Sequence, residues 1–176
     1  MSYSWKEKAT VKQISEYLID SGIRIWSDDK EINGNIYNAM ADGIERSKIV
    51  ILCISKAYDE SVNCCRERDW AADLNKPIIP LIMEQYDMSR SRSRFVSAGL
   101  LYYKFFDQTN QPIEGTIFET EMRRVLHAIN TLIKASKYAA TKFPPWYMLF
   151  FLVTSRCASF YRSFGNSSTF LPSVTL

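Results

Sequence analysis

The sequence predicts an α/β protein in which a parallel β-sheet carries helices on both faces. Two apolar runs, at residues 48–54 and 77–83, lack the polar alternation of half-exposed strands, as expected of strands buried on both faces. Stretches with apolar residues at helical spacing lie between and around these runs. Because strands and helices alternate in this way, we expect βαβ units with right-handed crossovers.

Four stretches of the 176-residue chain are predicted to be amphipathic helices. Their apolar positions are, in chain order, Val11, Ile14 and Leu18; Ile36, Met40 and Ile44; Trp70, Ala71 and Leu74; and Phe118, Met122, Val125, Leu126, Ile129, Leu132 and Ile133. Gly22 is placed to end the first helix, because glycine readily adopts the positive φ found there. Asn63 is expected to be the N-cap of the third.

The other predicted elements are short. Residues 23–26 alternate between apolar and polar side chains like a strand, and residues 101–106 form a further strand candidate. Pro80 has no N–H to donate, so we expect it near a sheet edge or a bulge. Residues 87–97 contain arginines interleaved with serines and are predicted to be a solvated loop, with a basic partner-contact surface as the alternative.

Composition excludes several function classes. The formal net charge of +3, from 22 basic and 19 acidic residues, is too weak and too mixed for a nucleic-acid surface. The four cysteines show no zinc-ligand spacing, and the single histidine, His127, is expected at the surface of the last helix. No metal is expected. The cysteine usage is typical of a reducing compartment, and no secretion signal opens the sequence, so we expect a cytoplasmic protein.

The charge distribution divides the chain into a folded domain at residues 1–136 and a tail at residues 137–176. Residues 143–176 contain nine aromatic residues and only two charges. The longest apolar run in the tail is eight residues, whereas a membrane-spanning helix needs roughly 20, so no transmembrane span is expected. Two interpretations remain open: a sequence not selected for folding, or a segment that contacts a membrane surface or a partner.

Three separated blocks resemble the motifs of Toll/interleukin receptor (TIR) domains. Residues 2–5, Ser-Tyr-Ser-Trp, are similar to the end of the first strand and its loop. Residues 23–28 resemble the second strand running into the BB loop at residues 27–35. Residues 63–67, Asn-Cys-Cys-Arg-Glu, resemble the W-C-x-x-E helix start, followed nine residues later by a strand beginning Lys-Pro-Ile. The order and spacing of the blocks agree over residues 1–136.

The resemblance implies a flavodoxin-like fold and cytosolic signalling, of innate-immune or cell-death type, through homotypic association with other TIR domains. Some members also cleave NAD⁺ to nicotinamide and an ADP-ribose product, at a site that a neighbouring protomer completes. NAD⁺ would then be a substrate, and no cofactor is expected. Three alternatives stay open: a protein that is primarily an NAD⁺ nucleosidase, a scaffold without enzymatic activity, and a nucleoside-processing transferase of similar fold.

Glu67 matches the glutamate that the cleaving members use. Breaking the bond between ribose and nicotinamide leaves an oxocarbenium-like sugar, so a carboxylate beside the ribose binds the transition state better than the ground state. Nicotinamide is already a cationic leaving group and needs no acid. Without the resemblance, a glutamate near a helix N-terminus is commonly just a favourable charge.

Four further residues are predicted to contact the nucleotide. Trp26 matches the aromatic position that lies against the nicotinamide ring, where a π face attracts a cationic ring. Ser4 and Trp5 lie in the loop that approaches the nucleotide, and Asp28 follows the second strand. The competing roles are packing for the two tryptophans and turn formation for Asp28.

Three features depart from the family pattern. The sequence begins at Met1, two residues before Tyr3, so most of the first strand is expected to be missing. Position 63 is asparagine where many members have tryptophan. The BB loop lacks the proline of many adaptor members, which weakens a direct transfer of receptor-type pairing to this chain.

Overall fold

A computed structural model describes residues 1–26 and 36–142. The chain divides into two compact units, Met1–Ile133 and Lys134–Leu176. The described elements are β1 (Ser2–Tyr3), a 3-10 helix (Trp5–Glu7), α1 (Lys8–Asp20), α2 (Ile36–Arg46), β2 (Val50–Ile54), α3 (Lys56–Glu60), α4 (Val62–Asp73), β3 (Ile78–Ile82), α5 (Arg92–Ser97), β4 (Tyr103–Lys104) and α6 (Gly115–Lys142). Of the second unit, residues 134–142 are described, and they are helical.

The strands form one parallel sheet, which confirms the predicted fold class. Within the described residues the strand order is β1-β2-β3-β4, and each neighbouring pair is parallel. The longest ladder joins β2 to β3, from Val50 opposite Ile78 to Ile54 opposite Ile82. All residues of β2 are buried, as its unbroken apolar run predicted.

Successive residues of β2 face two different layers of helices. Ile51 and Cys53 belong to a core cluster with α1 and α6, whose buried members include Leu18 and Val125. Val50, Leu52 and Ile54 belong to a second cluster with α2, α3 and α4. Helices therefore cover both faces of the sheet, and the stripes predicted for α1 and α6 pack in the first cluster. Ile44 of the stripe predicted for α2 packs in the second.

The predicted strand at residues 23–26 is wrong. These residues are described and have no strand ladder. The amino group of Met1 donates a hydrogen bond to the Trp26 carbonyl at 2.8 Å, and β1 offers only two residues, both of which pair with β2. Ile23 and Ile25 pack against the core, so their alternation reflects packing without sheet pairing.

Pro80 lies inside the sheet and not at the predicted edge or bulge, because β3 has neighbours on both sides. Phe105 N donates a hydrogen bond to Ile82 O. Alternate residues of a strand in a parallel sheet bond to the same neighbouring strand, so the backbone of Pro80, two residues earlier, also faces β4. The β4 ladder starts only at Leu81 opposite Tyr103. The missing N–H therefore falls just before the ladder begins.

Helix α4 differs from the prediction in its cap and in its buried face. Ser61 is the N-cap, and its side chain accepts a hydrogen bond from the Cys64 N–H, whereas Asn63 lies inside the helix. Ala71 is buried as expected, but Trp70 and Leu74 are 40% and 37% exposed. Cys64 and Arg68 complete the buried face. Because one of these buried residues is an arginine, the spacing of apolar residues predicted the wrong face of α4.

A network of hydrogen bonds and ion pairs around Asp59 accounts for the burial of Arg68. The same network holds α5 (Arg92–Ser97), so the prediction of a solvated loop at residues 87–97 is wrong for residues 92–97. Asp59 accepts hydrogen bonds from Arg68 Nη1 at 3.1 Å and from the hydroxyls of Tyr86 at 2.6 Å and Ser91 at 2.5 Å, as well as from the Ser93 hydroxyl. Ser93 is fully buried and lies in α5. The network joins α3, α4 and α5 to the segment after β3.

Across residues 1–26 and 36–142, no helix combines the length and apolar character needed to cross a bilayer.

Candidate functional site

The carboxyl ends of β1, β2 and β3 lie side by side, where ligands bind in parallel sheets. Ser4, Ser55 and Met83 follow these strands directly. Ser4 and Ser55 are buried, and the Ser55 side chain accepts a hydrogen bond from Tyr58 N as the N-cap of α3. Glu84 accepts a hydrogen bond from Lys56 N at 2.6 Å. The loops that follow these three strands therefore meet at one edge of the sheet.

Glu7 lies at this edge, and the sequence analysis missed it. Burial of its carboxyl raises the Glu7 pKa above the ordinary value, a hydrogen bond with Ser55 lowers it, and the nearby charge of Glu84 raises it further. The position of Glu7 just after β1 is a signal that could have identified it.

Glu7→Gln is expected to stabilise the fold at pH 7 and to have little effect at pH 4. A carboxyl whose pKa is raised by folding favours the folded state while it is protonated, and this advantage is lost as pH rises from the unfolded pKa through the folded one. Glutamine stays neutral and keeps an acceptor for Ser55. Urea midpoints of both proteins at the two pH values measure the difference, and an equal shift at both would contradict the prediction.

Glu67 lines an open groove between α2 and α4 with a volume of about 310 Å³. The groove is lined by Met40, Ala41, Ile44, Asn63, Arg66, Glu67, Asp69, Trp70 and Asp73. Glu67 is half-buried, and its role in cleavage stays a prediction. Trp70 is the aromatic side chain that shares this groove with Glu67.

The start of α4 is tied to the end of β1. The buried Tyr58 hydroxyl lies 2.9 Å from Ser2 Oγ and donates to the Cys64 carbonyl at 3.2 Å. Cys64 Sγ donates to the Tyr3 carbonyl at 3.4 Å. Burial raises the pKa of Tyr58 well above its ordinary value, and the charge of Glu67 adds to the rise. Glu67 is therefore close to the edge where the β1 loop begins.

The structure places Trp26 on the other side of α2 from Glu67. Trp26 lines a separate cavity of about 730 Å³, and the two cavities share no lining residue. Its ring packs against Gly43, where an added Cβ would lie 2.6 Å from Trp26 Cε2. The observed contacts of Trp26 are therefore packing contacts. Its contact with a nicotinamide ring stays a prediction.

The other predicted ligand contacts are distributed unevenly. The Ser4 carbonyl accepts a hydrogen bond from Glu7 N at 2.8 Å, at the start of the 3-10 helix. Trp5 is 78% exposed, and Lys8 Nζ lies 4.9 Å from its ring centre. Asp28 and the rest of the BB loop lie outside the described residues. Ligand contact by Ser4, Trp5 and Asp28 stays a prediction.

The thiols and the histidine of the described residues do not form a reactive site. Cys53, Cys64 and Cys65 are free, and burial raises the pKa of Cys53 to about 12 and that of Cys64 to about 11. His127 is exposed on α6, as predicted. In the part of the chain that the structure describes, no group of three or more His, Cys, Asp or Glu side chains is placed to hold a metal ion.

A family model described as "TIR domain" matches residues 1–118, more than half of the chain. The matched stretch contains the four strands and the helices from α1 to α5, together with Glu67 and the four predicted contact residues. A comparison with curated proteins gives no match.

Proposed function

The chain belongs to the TIR domain family, and from that premise we propose that it acts in signal transduction by homotypic association with other TIR domains. One observation carries the proposal: large apolar side chains project into solvent from α5 and the loop that follows it. Phe95 is 82% exposed, Leu101 70% and Tyr102 53%. Large exposed apolar side chains grouped in one short stretch of the chain are typical of a protein–protein contact.

Sedimentation of the full chain over a range of concentrations tests this proposal. We expect reversible association that strengthens with concentration, because the apolar side chains are covered only in the complex. A chain that stays monomeric throughout, and that fails to bind a second TIR domain, would overturn the proposal.

We place this signalling in the cytoplasm and assign it to the innate-immune or cell-death type. The three described cysteines are free thiols, which suits a reducing compartment. The signalling type rests on the family resemblance alone. Expression of the chain in cells, with fractionation and a cell-death readout, tests both assignments.

A specific observation favours a second activity, cleavage of NAD⁺ to nicotinamide and ADP-ribose. Glu67 lines an open groove with an apolar wall, where its carboxylate has room to meet a ribosyl group. Trp70 offers a π face in the same groove for the cationic pyridinium ring. Incubation of the full chain with NAD⁺, at protein concentrations below and above those of association, tests the activity by chromatography of nicotinamide. Absence of nicotinamide at every concentration would leave the association proposal alone.

A further inference from the structure

The cavity that Trp26 lines, here the α2–α6 cavity, takes no part in the functions proposed above. Its lining comes from Met1, from residues 22–26, from α2, from residues 47–51 and from α6. All of the lining residues belong to the unit Met1–Ile133. Its volume of about 730 Å³ is in the range of small-molecule pockets, which is roughly 300–1,000 Å³.

The interior of the α2–α6 cavity is apolar. Six isoleucines line it, all of them buried or half-buried: Ile23, Ile25, Ile49, Ile51, Ile129 and Ile133. Ile51 of β2 and Ile129 of α6 are only 5% and 2% exposed. On the side of α2 the lining includes Ala39 and Gly43, whose small side chains leave room for a ligand. A hydrocarbon chain that enters among the isoleucines leaves water, which is favourable in proportion to the apolar area buried.

Four charged residues line the same cavity, and all four are exposed. Asp42 and Arg46 pair with each other at 3.5 Å across one turn of α2. Arg24 and Lys48 take no part in the ion pairs formed among residues 1–26 and 36–142. The outer margin of the cavity therefore presents two positive charges that no described acid pairs with.

Hydrogen-bonding side chains are scarce in this cavity. Among the described lining residues, Ser47 supplies the one hydroxyl, and that hydroxyl already donates to the Gly43 carbonyl at 2.6 Å. A sugar or a nucleotide base needs several placed hydrogen-bond partners, because a buried polar group without one is costly. The lining instead favours a ligand that is hydrocarbon over most of its length and negatively charged at one end.

We propose that the α2–α6 cavity binds a single-chain amphiphile with an anionic headgroup, of the class of fatty acids and alkyl phosphates. The chain lies among the isoleucines, and the headgroup lies beside Arg24 and Lys48. Guanidinium and ammonium groups both bind carboxylate and phosphate oxygens. The site is separate from α5 and from the groove that Glu67 lines, so this proposal and the proposed function can fail independently.

Calorimetric titration of the full chain tests binding directly. The probes are dodecanoate and monododecyl phosphate, each below its critical micelle concentration, and their relative affinity identifies the preferred headgroup. We expect saturable binding of at least one of them. Dodecyltrimethylammonium has the same chain and the opposite charge, so it should bind at least about fivefold more weakly. Equal affinity for this cation would overturn the proposal.

Two alanines of α2 provide a matched pair of variants. Ala39 and Ala41 are both half-buried, but Ala39 lines the α2–α6 cavity and Ala41 lines the groove that contains Glu67. Ala39→Phe fills the cavity with a ring and should weaken binding of the anionic probe by more than about tenfold. Ala41→Phe should bind it like the wild type. Loss of binding in Ala41→Phe alone would place the ligand in the other groove and overturn the proposal.

Charge reversal separates a lost contact from a damaged fold. Arg24→Glu and Lys48→Glu, at exposed residues, should each weaken binding of the anionic probe about fivefold and strengthen binding of dodecyltrimethylammonium. A gain for the opposite headgroup cannot come from misfolding. Arg123→Glu is the control, because Arg123 is exposed on α6 and does not line the cavity.

Trp26 reports where the chain lies. Bromine quenches tryptophan fluorescence on contact, so 12-bromododecanoate should quench the wild type. Trp26→Phe should bind the probe and lose that quenching, although Trp5, Trp70 and Trp146 remain as fluorophores. Quenching that persists in Trp26→Phe would place the chain elsewhere. Absence of binding by both anionic probes, or binding that Ala39→Phe and Arg24→Glu leave unchanged, would likewise overturn the proposal and leave the proposed function standing.

Discussion

Arg68→Ala is expected to lower the free energy of unfolding by about 3–5 kcal/mol. Arg68 is 2% exposed, and its guanidinium donates to Asp59, Ser93 and Asp69, so its removal leaves the Asp59 carboxylate without its cationic partner in the interior. An uncompensated buried charge is among the most costly defects in a fold. Denaturant unfolding of the two proteins, followed by circular dichroism, gives the difference.

Arg92→Ala is the matched control for that experiment. Arg92 also pairs with Asp69, at 3.3 Å, but its side chain is 74% exposed. Solvent screens such a pair, so its loss should cost no more than about 1 kcal/mol. Ser93→Ala, which removes one hydroxyl from the network, should lie between the two, at about 1–3 kcal/mol. Equal losses for Arg68 and Arg92 would show that burial does not decide the strength of these ion pairs.

The parallel sheet was predictable because its central strands carry their own signal. The apolar runs of β2 and β3 are buried on both faces. A short unbroken run of apolar residues is typical of a central strand in a parallel sheet. Helices α1 and α6 were predictable for a similar reason, since their apolar stripes pack on one core cluster. These are local patterns that match the global fold.

Helix α5 and the buried face of α4 were not predictable from local pattern. Ser93 is polar and Arg68 is charged, and each is buried only because Asp59, on a third element, supplies the partner that offsets its desolvation. Such a partnership depends on where three helices meet in space. Periodicity along one segment carries no information about it.

The candidate site was likewise predictable only in part. The resemblance placed Glu67 in α4, and the structure places its side chain in an open groove. Trp26 could share a ligand with Glu67 only if α2 did not lie between them. In the structure α2 has one face on each of the two cavities. Trp70, predicted to be core, is the aromatic residue beside Glu67.

Glu67→Ala is expected to reduce nicotinamide release by about 10²–10³-fold, if NAD⁺ is cleaved in this groove, because it removes the charge that stabilises the oxocarbenium-like transition state. Glu67→Gln should lose nearly as much while preserving side-chain size. Glu60→Ala is the matched control, since Glu60 is an exposed acid on α3 that pairs only with Lys56, at 3.9 Å, in the ion pairs of the described residues. Retained activity in Glu67→Gln would show that the carboxylate is not needed.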